Sequence, residues 1–215
     1  MTKEMTIQDA FQNVMATRGD VPPKQQRVLA ASLALFAEQG FSNTTTKQIA
    51  ARAEVAEGTV YRRYKTKDEL LAAVLAPFVS EVLPNLIEDF ATNIVKRDYI
   101  TRHDLIAAVI QDRLRFAQEN RHVLQVLLTE LLVRSDVREQ LVPQVAPLLS
   151  KNLYPVLDRL KVSGELIDWP DDRIAQFMIG TMLSQLARGI LANEEIESAG
   201  PMMIAFLEKG LAPES

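Results

Sequence analysis

Apolar residues recur at intervals of three and four along almost the whole chain, and no run alternates apolar and polar residues between turn dipeptides. The first pattern marks helices buried on one side; the second would be needed for half-buried strands. With only 8 glycines in 215 residues, little punctuates the helical pattern, and the chain reads as all-α. Apolar residues at 47% and charged ones at 24% suit a chain that buries a core.

The pattern divides at its punctuation. Pro22-Pro23 opens a helix with Val28, Leu29, Ser32, Leu35 and Phe36 on its inner stripe and Gly40 at its end. Thr45, with Gln48 three residues on, forms a capping box for a second helix. A break falls near Glu54, and a third helix covers residues 58–64. Thr66 with Glu69 reads as another capping box, starting a long fourth helix in which Pro77 and Pro84 predict a kink or a break. Further helices are expected over residues 102–118, 121–133, 136–164 (capped by Asp136 with Glu139), 171–192 and 200–210. In residues 1–21, Thr6 followed by Ile7, Phe11 and Met15 permits a short helix, but the segment reads first as a loosely ordered arm.

Charge is uneven. The net charge is −4, yet residues 22–67 carry 8 basic and 3 acidic side chains, net +5. Residues 68–215 carry 14 basic and 22 acidic ones, net −8. A compact basic unit joined to an acidic one is the footprint of polyanion binding by the first. Cysteine is absent and His103 and His122 are the only imidazoles, which argues against disulfides, a zinc site or a Cys- or His-based hydrolase. The longest unbroken apolar run, Leu70 to Val79, has ten residues against the roughly 18 a bilayer span needs. Neither a membrane span nor a secretory signal is expected, and the expected location is the cytoplasm.

The stretch from Gly40 to Leu71 carries most of the functional information. Two short helices joined by a tight turn, after an apolar helix, make a helix-turn-helix. Ile49, Ala50 and Ala53 face inward from the first, Val55 fills the turn, and Val60 and Tyr64 anchor the second. Thr59, Arg62 and Arg63 are left on or near its outer face, where a helix can enter the major groove.

These residues resemble the TetR family of bacterial transcription regulators. The resemblance is carried by Gly40-Phe41-x-x-Thr44-Thr45, Ile49-Ala50-x-x-Ala53, Val55-x-x-Gly58-Thr59-Val60-Tyr61 and Lys65-x-Lys67-Asp68-Glu69-Leu70-Leu71. It implies a three-helix DNA-binding domain over 22–67 and a larger helical ligand-binding and dimerisation domain over 68–215. Glu54 stands where glycine is common in the family, and Ala56 where serine often caps the recognition helix. Each departure should cost about 1 kcal/mol if the geometry is kept.

Thr44 and Thr45 are expected at phosphate on the helix dipole, and Thr45 also as the cap. By resemblance, Tyr61 presents its hydroxyl to phosphate and Lys67 clamps it, with Gly58 at the start of the reading helix. Lys47, Thr59 and Arg62 are candidates for base edges, Arg63 and Lys65 for phosphates or solvent. Phe78, Phe116, Tyr154, Trp169, Phe177, Met178 and Met182 could line a ligand pocket or simply be core. Arg113 and Arg115 could meet an anionic ligand or a neighbouring acid.

A nearly all-round apolar helix at 171–192, with Gly180, Ser184, Ala187 and Gly189 permitting close approach, points to a dimer face there. It would be completed by Met203, Phe206, Leu207 and Leu211 of the last helix. The expectation is a homodimeric repressor, not an enzyme, without metal or cofactor, released from a pseudo-palindromic operator on double-stranded DNA by a small-molecule inducer. The alternative is a DNA-binding regulator with no inducer: constitutive, protein-controlled or activating.

Overall fold

The computed structural model describes residues 5–213, apart from the side chains at 136, 137, 140 and 142. Among the described residues every regular element is a helix. Contacts divide the chain into two compact units. One runs to Leu86 and takes in His122–Gln144; the other comprises Ile87–Arg121 and the chain from Val145 on. The sequence boundary at residue 67 is therefore not where packing divides the chain, because residues 68–86 and 122–144 belong to the first unit.

The first unit begins with α1, Ile7–Thr17, which replaces the expected loose arm. Thr6 and Asp9 form a reciprocal capping box at its start. Ile7, Ala10, Phe11, Val14 and Met15 are buried along one stripe. They pack against α2, Pro23–Gln39, and against the turn Phe78–Val82. Burying a side chain such as Ile7 or Phe11 is worth about 1.5–3 kcal/mol. That anchors an N-terminal helix whose partner surface lies 60 residues on.

Helix α2 has proline in its first turn, where no donor is missed, and ends at Gly40 with φ +81°, whose N–H bonds Phe36 O. Helix α3, Thr46–Arg52, carries the full Thr45–Gln48 capping box. Helix α4, Glu57–Arg63, starts at Ala56 without any side-chain cap, as the missing hydroxyl implies.

The turn between α3 and α4 keeps the geometry that glycine would fill. Glu54 sits at φ +54°, and the following N–H, of Val55, reaches back to Ala50 O at 3.0 Å.

Helix α5, Lys67–Pro77, starts at Thr66, whose hydroxyl accepts from Glu69 N. The reciprocal half of that capping box is absent: the Glu69 carboxylate accepts from Lys65 N at 2.8 Å instead. The chain does not break at the prolines. A π-turn, Phe78–Val82, follows Pro77, and α6, Leu83–Phe90, continues to a second π-turn, Ala91–Val95. Wider turns absorb a proline ring and a missing donor without ending the helix.

The run Lys67–Val95 is long and apolar enough, by length and composition alone, to cross a membrane. The ten-residue count understates this because Ser80 and Glu81 interrupt the apolar run without ending the helix. Half of its most apolar stretch is buried within the protein, as in a core helix.

In the second unit, α7, Arg102–Glu119, packs Leu105, Ile106, Val109, Ile110 and Leu114 into the core, chiefly against the last helix. Helix α8, Arg121–Val133, belongs to the first unit from His122 on. The irregular segment expected over 136–164 is two helices, α9, Ser135–Asn152, and α10, Tyr154–Val162, parted just before Pro155. The expected Asp136 cap lies outside the described residues. Helix α11, Asp171–Ala192, and α12, Gly200–Gly210, complete the chain.

Glycine adopts the Glu54 conformation freely, whereas a side chain there costs about 1 kcal/mol. Glu54→Gly is expected to raise stability by about that amount, read as a higher urea midpoint with an unchanged m-value.

Candidate nucleic-acid interface

The helix-turn-helix is held from inside by apolar side chains and from outside by backbone caps. Ile49, Ala50, Ala53, Val60 and Tyr64 are all buried, as expected. The Tyr64 hydroxyl accepts from Gln25 Nε2 at 3.0 Å, and burial pushes its pKa up, so it stays a neutral phenol. Arg27 Nε donates to Ala53 O at 3.0 Å, capping the end of α3. Arg52 is ion-paired with Glu38. Some of the positive charge counted in 22–67 is thus spent on the frame.

Two residues expected at phosphate are part of that frame. Thr44 is 2% exposed. Its hydroxyl donates toward Gly40 O at 2.8 Å and Leu35 O at 3.2 Å and accepts from Gln39 Nε2, and its N–H goes to Phe41 O. Its side chain has no room or capacity for a phosphate oxygen. Lys67 Nζ donates to Phe41 O at 2.6 Å and to Ser42 O and Thr44 O at 3.1 Å. It also lies 4.5 Å from the centroid of the Phe41 ring. An ammonium has three protons, and three carbonyls use them. Lys67 therefore ties α5 to the loop between α2 and α3 rather than standing ready as a clamp.

The other predicted residues face solvent. Thr45 is exposed but engaged in its capping box with Gln48. Lys47 is exposed on α3, and Gly58, Tyr61, Arg62, Arg63 and Lys65 are exposed on or just after α4. Tyr61 is half exposed, so its hydroxyl is free to reach outward. Thr59, Arg62 and Arg63 line one groove of about 250 Å³ with Lys24 and Gln25 of α2.

Lys24 and Glu57 went unnoticed in the sequence. Glu57 is exposed in the first turn of α4, where the helix dipole favours it, and accepts from Thr46 Oγ1 at 3.3 Å. The only signal for either was position: Lys24 one residue after the opening prolines, Glu57 one residue before Gly58.

The outer face of α4 is exposed and basic toward its C-terminal end, on a helix of the size that fits a major groove. Residues 28–74, which span this helix-turn-helix and the start of α5, match the family model described as bacterial regulatory proteins, tetR family. Over these residues the chain carries a helix-turn-helix of the TetR type. An uncharacterised HTH-type transcriptional regulator, YvkB of Bacillus subtilis, is 41% identical over 54 residues, 25% of this chain and 29% of YvkB. That match spans under a third of the relative. The fatty acid metabolism regulator protein of Bacillus subtilis is 23% identical over 177 residues, 80% of this chain and 86% of that protein. A structure of FadR from Bacillus subtilis in complex with stearoyl-CoA shares the fold, with a TM-score of 0.61 at 18% identity over 86% of this chain and 98% of that one.

The residues expected to line one pocket are scattered. Phe78 is buried in the first unit, in the turn that packs on α1, and so is not part of the second core. Trp169 and Phe177 are 37% and 51% exposed and pair at 5.8 Å between ring centroids on the surface. Phe116 lies under the Arg113 guanidinium at 4.5 Å, and Tyr154 is half-buried at the start of α10. Met178 and Met182 line a cavity of about 70 Å³ in the second unit. Arg113 and Arg115 both reach the buried Asp112, the acid alternative.

The expected dimer residues also separate. Gly180, Ser184 and Phe206 are exposed and Ala187 half-buried, whereas Met203, Leu207 and Leu211 are buried within the protomer and cannot meet a partner. Spacing alone could not tell the two sides of α12 apart; α7 decides which is inward. Gly189 serves the chain itself: a Cβ there would fall 2.5 Å from Ile196 Cγ1.

Replacing Lys67 leaves three loop carbonyls without their cation. Lys67→Met is expected to lower stability by roughly 1–3 kcal/mol, measured by urea unfolding.

Proposed function

We propose that the chain is a homodimeric repressor that binds a pseudo-palindromic operator through α4 and leaves it when a small molecule binds the second unit. The single observation that carries the DNA-binding part is the exposed basic set Lys47, Arg62, Arg63 and Lys65 on and beside the reading helix of a well-packed helix-turn-helix. Arg62 is the leading base reader, because a guanidinium can bond guanine bidentately. Lys47 and Thr59 are further candidates. Thr45, Gly58, Tyr61, Arg63 and Lys65 fit backbone contacts that set register. As a binding protein rather than an enzyme, it would work in the cytoplasm, where the operator lies.

Dimerisation is supported by apolar side chains that one protomer leaves in water. Phe177, Leu183 and Leu191 on α11, with Met202 and Phe206 on α12, are 46–87% exposed. A cluster of that kind marks an interface. Release by a small molecule is supported by the likeness to the FadR structure that holds stearoyl-CoA. A second reading, a regulator without an inducer, is favoured by the small volume, about 70 Å³, of a cavity in the second unit. Crystals grown from protein purified without added ligand, inspected for copurified density there, separate the two.

On an operator found by selection, affinity should fall steeply with salt. Arg62→Ala should relax preference at one base position at a cost of about 1–3 kcal/mol, while Lys65→Ala weakens all sequences alike and lowers the salt slope by about one. Titrations on operator and scrambled duplexes check both; a flat salt response removes the DNA-binding reading.

Phe206→Glu should convert the dimer to monomer in sedimentation at micromolar concentration, since an unpaired charge buried in an interface costs several kcal/mol. An intact dimer moves the interface away from α12.

A further inference from the structure

The reading helix carries a single acid, Glu57, exposed in its first turn. Among the described residues its carboxylate has no cation partner; Arg52, at the end of α3, is paired with Glu38 instead. Its polar contact is with Thr46 of α3, whose Oγ1 donates to Oε1 at 3.3 Å, and Oε2 is unbonded among the described residues. At about 3.6 residues per turn, with Val60 and Tyr64 buried, Gly58 and Arg62 point outward and Glu57 stands on the adjoining flank, toward α3. Gly58 serves nothing inside the chain: its φ is not positive, and an added Cβ would meet nothing within 4 Å. Glycine weakens a helix relative to alanine, so bare backbone at this point leaves room for something outside the chain to come close.

We propose that Glu57 is a specificity-determining residue: its carboxylate accepts from the exocyclic amino group of a cytosine in the major groove, with Thr46 orienting it and Gly58 letting the duplex come within reach. The inference rests on the reading that α4 enters an operator, and it names one base which that operator contains. The N-terminal residues of a reading helix are those that meet base edges. An ionised carboxylate only accepts hydrogen bonds. Beside phosphates it repels, so it must meet a donor if binding is not to suffer. The major groove offers two, N4 of cytosine and N6 of adenine, whereas guanine shows two acceptors and thymine an acceptor and a methyl group. On adenine, N7 lies beside the amino group and would face the second carboxylate oxygen, acceptor against acceptor. Cytosine has a C–H on that side, so it is favoured over adenine, and both over guanine and thymine. The helix dipole also favours an acid here, but it does so equally on every sequence, and base preference separates the two roles.

The test selects operators from a random duplex pool with the full native chain and with Glu57→Gln, Glu57→Ala and Gly58→Ala. The native chain is expected to require cytosine at one position of each half-site, where guanine or thymine weakens binding about tenfold or more. Glu57→Gln should move that position to adenine, since an amide carries both the acceptor that N6 needs and the donor that N7 needs, while the other positions keep their bases. Glu57→Ala should flatten that position alone. Gly58→Ala should keep or raise the melting temperature and weaken operator binding. Base preferences unchanged in Glu57→Gln overturn the proposal. So does a Glu57→Ala chain that binds all sequences more tightly with its preferences intact, as removal of a solvated surface acid would give, or native operator affinity in Gly58→Ala. A native chain that selects no sequence overturns the DNA-binding reading and this inference with it; a selected operator whose preferences ignore Glu57 overturns the inference and leaves that reading standing.

Discussion

The ammonium group of Lys67 sits among the carbonyls of Phe41, Ser42 and Thr44, and the attitude of the reading helix depends on it. Those carbonyls belong to the loop that turns the chain from α2 into α3. Gly40 bends that loop at φ +81°, the Thr44 hydroxyl bonds back across it, and Gln39 joins it to the Gln48 side chain of the next cap. Once α3 is aimed, the short turn through Glu54 leaves α4 little freedom. The charge of Lys67 thus acts on DNA recognition through geometry: a cation satisfies backbone acceptors, and the exposed arginines are carried to where they face solvent.

The two units meet the same demand in the same way. In the first, polar side chains bond to backbone where the chain turns, as Arg27 does at Ala53 O and Gln26 at Arg18 O and Val21 O. In the second, Arg102 ties the start of α7 to Glu165 O and Glu208 O, and Arg121 bonds Gly189 O at the end of α11. Among the described buried side chains, Asn152 Oδ1 is left without a hydrogen-bond partner.

Local chemistry was legible in the sequence wherever one turn of chain holds both partners. The Gly40 terminus, the Thr45–Gln48 box, the uncapped start at Ala56 and the positive φ at Glu54 all followed from residues within four positions of each other. The apparent capping box at Thr66 is the instructive failure. Its spacing is right, yet the Glu69 carboxylate accepts from the Lys65 N–H instead. Pro77 was legible as a disturbance but not as a π-turn, since a helix packed on α1 has more to lose by breaking than by widening.

By itself, the sequence determined the class of the fold, the order of its helices and the presence of a basic helix-turn-helix, because periodicity, caps and charge are properties of neighbouring residues. Only the tertiary structure decided which side of each helix is inward. Met203 and Leu207 are core and Phe206 is not because α7 covers one face of α12. Phe11 is buried because the turn at Phe78–Val82 comes back to meet it. Lys67 is a tie rather than a clamp because three carbonyls some 25 residues away in the chain reach it first. An apolar stripe or a lysine carries no label for its partner; distance in space supplies one, and spacing along the chain does not.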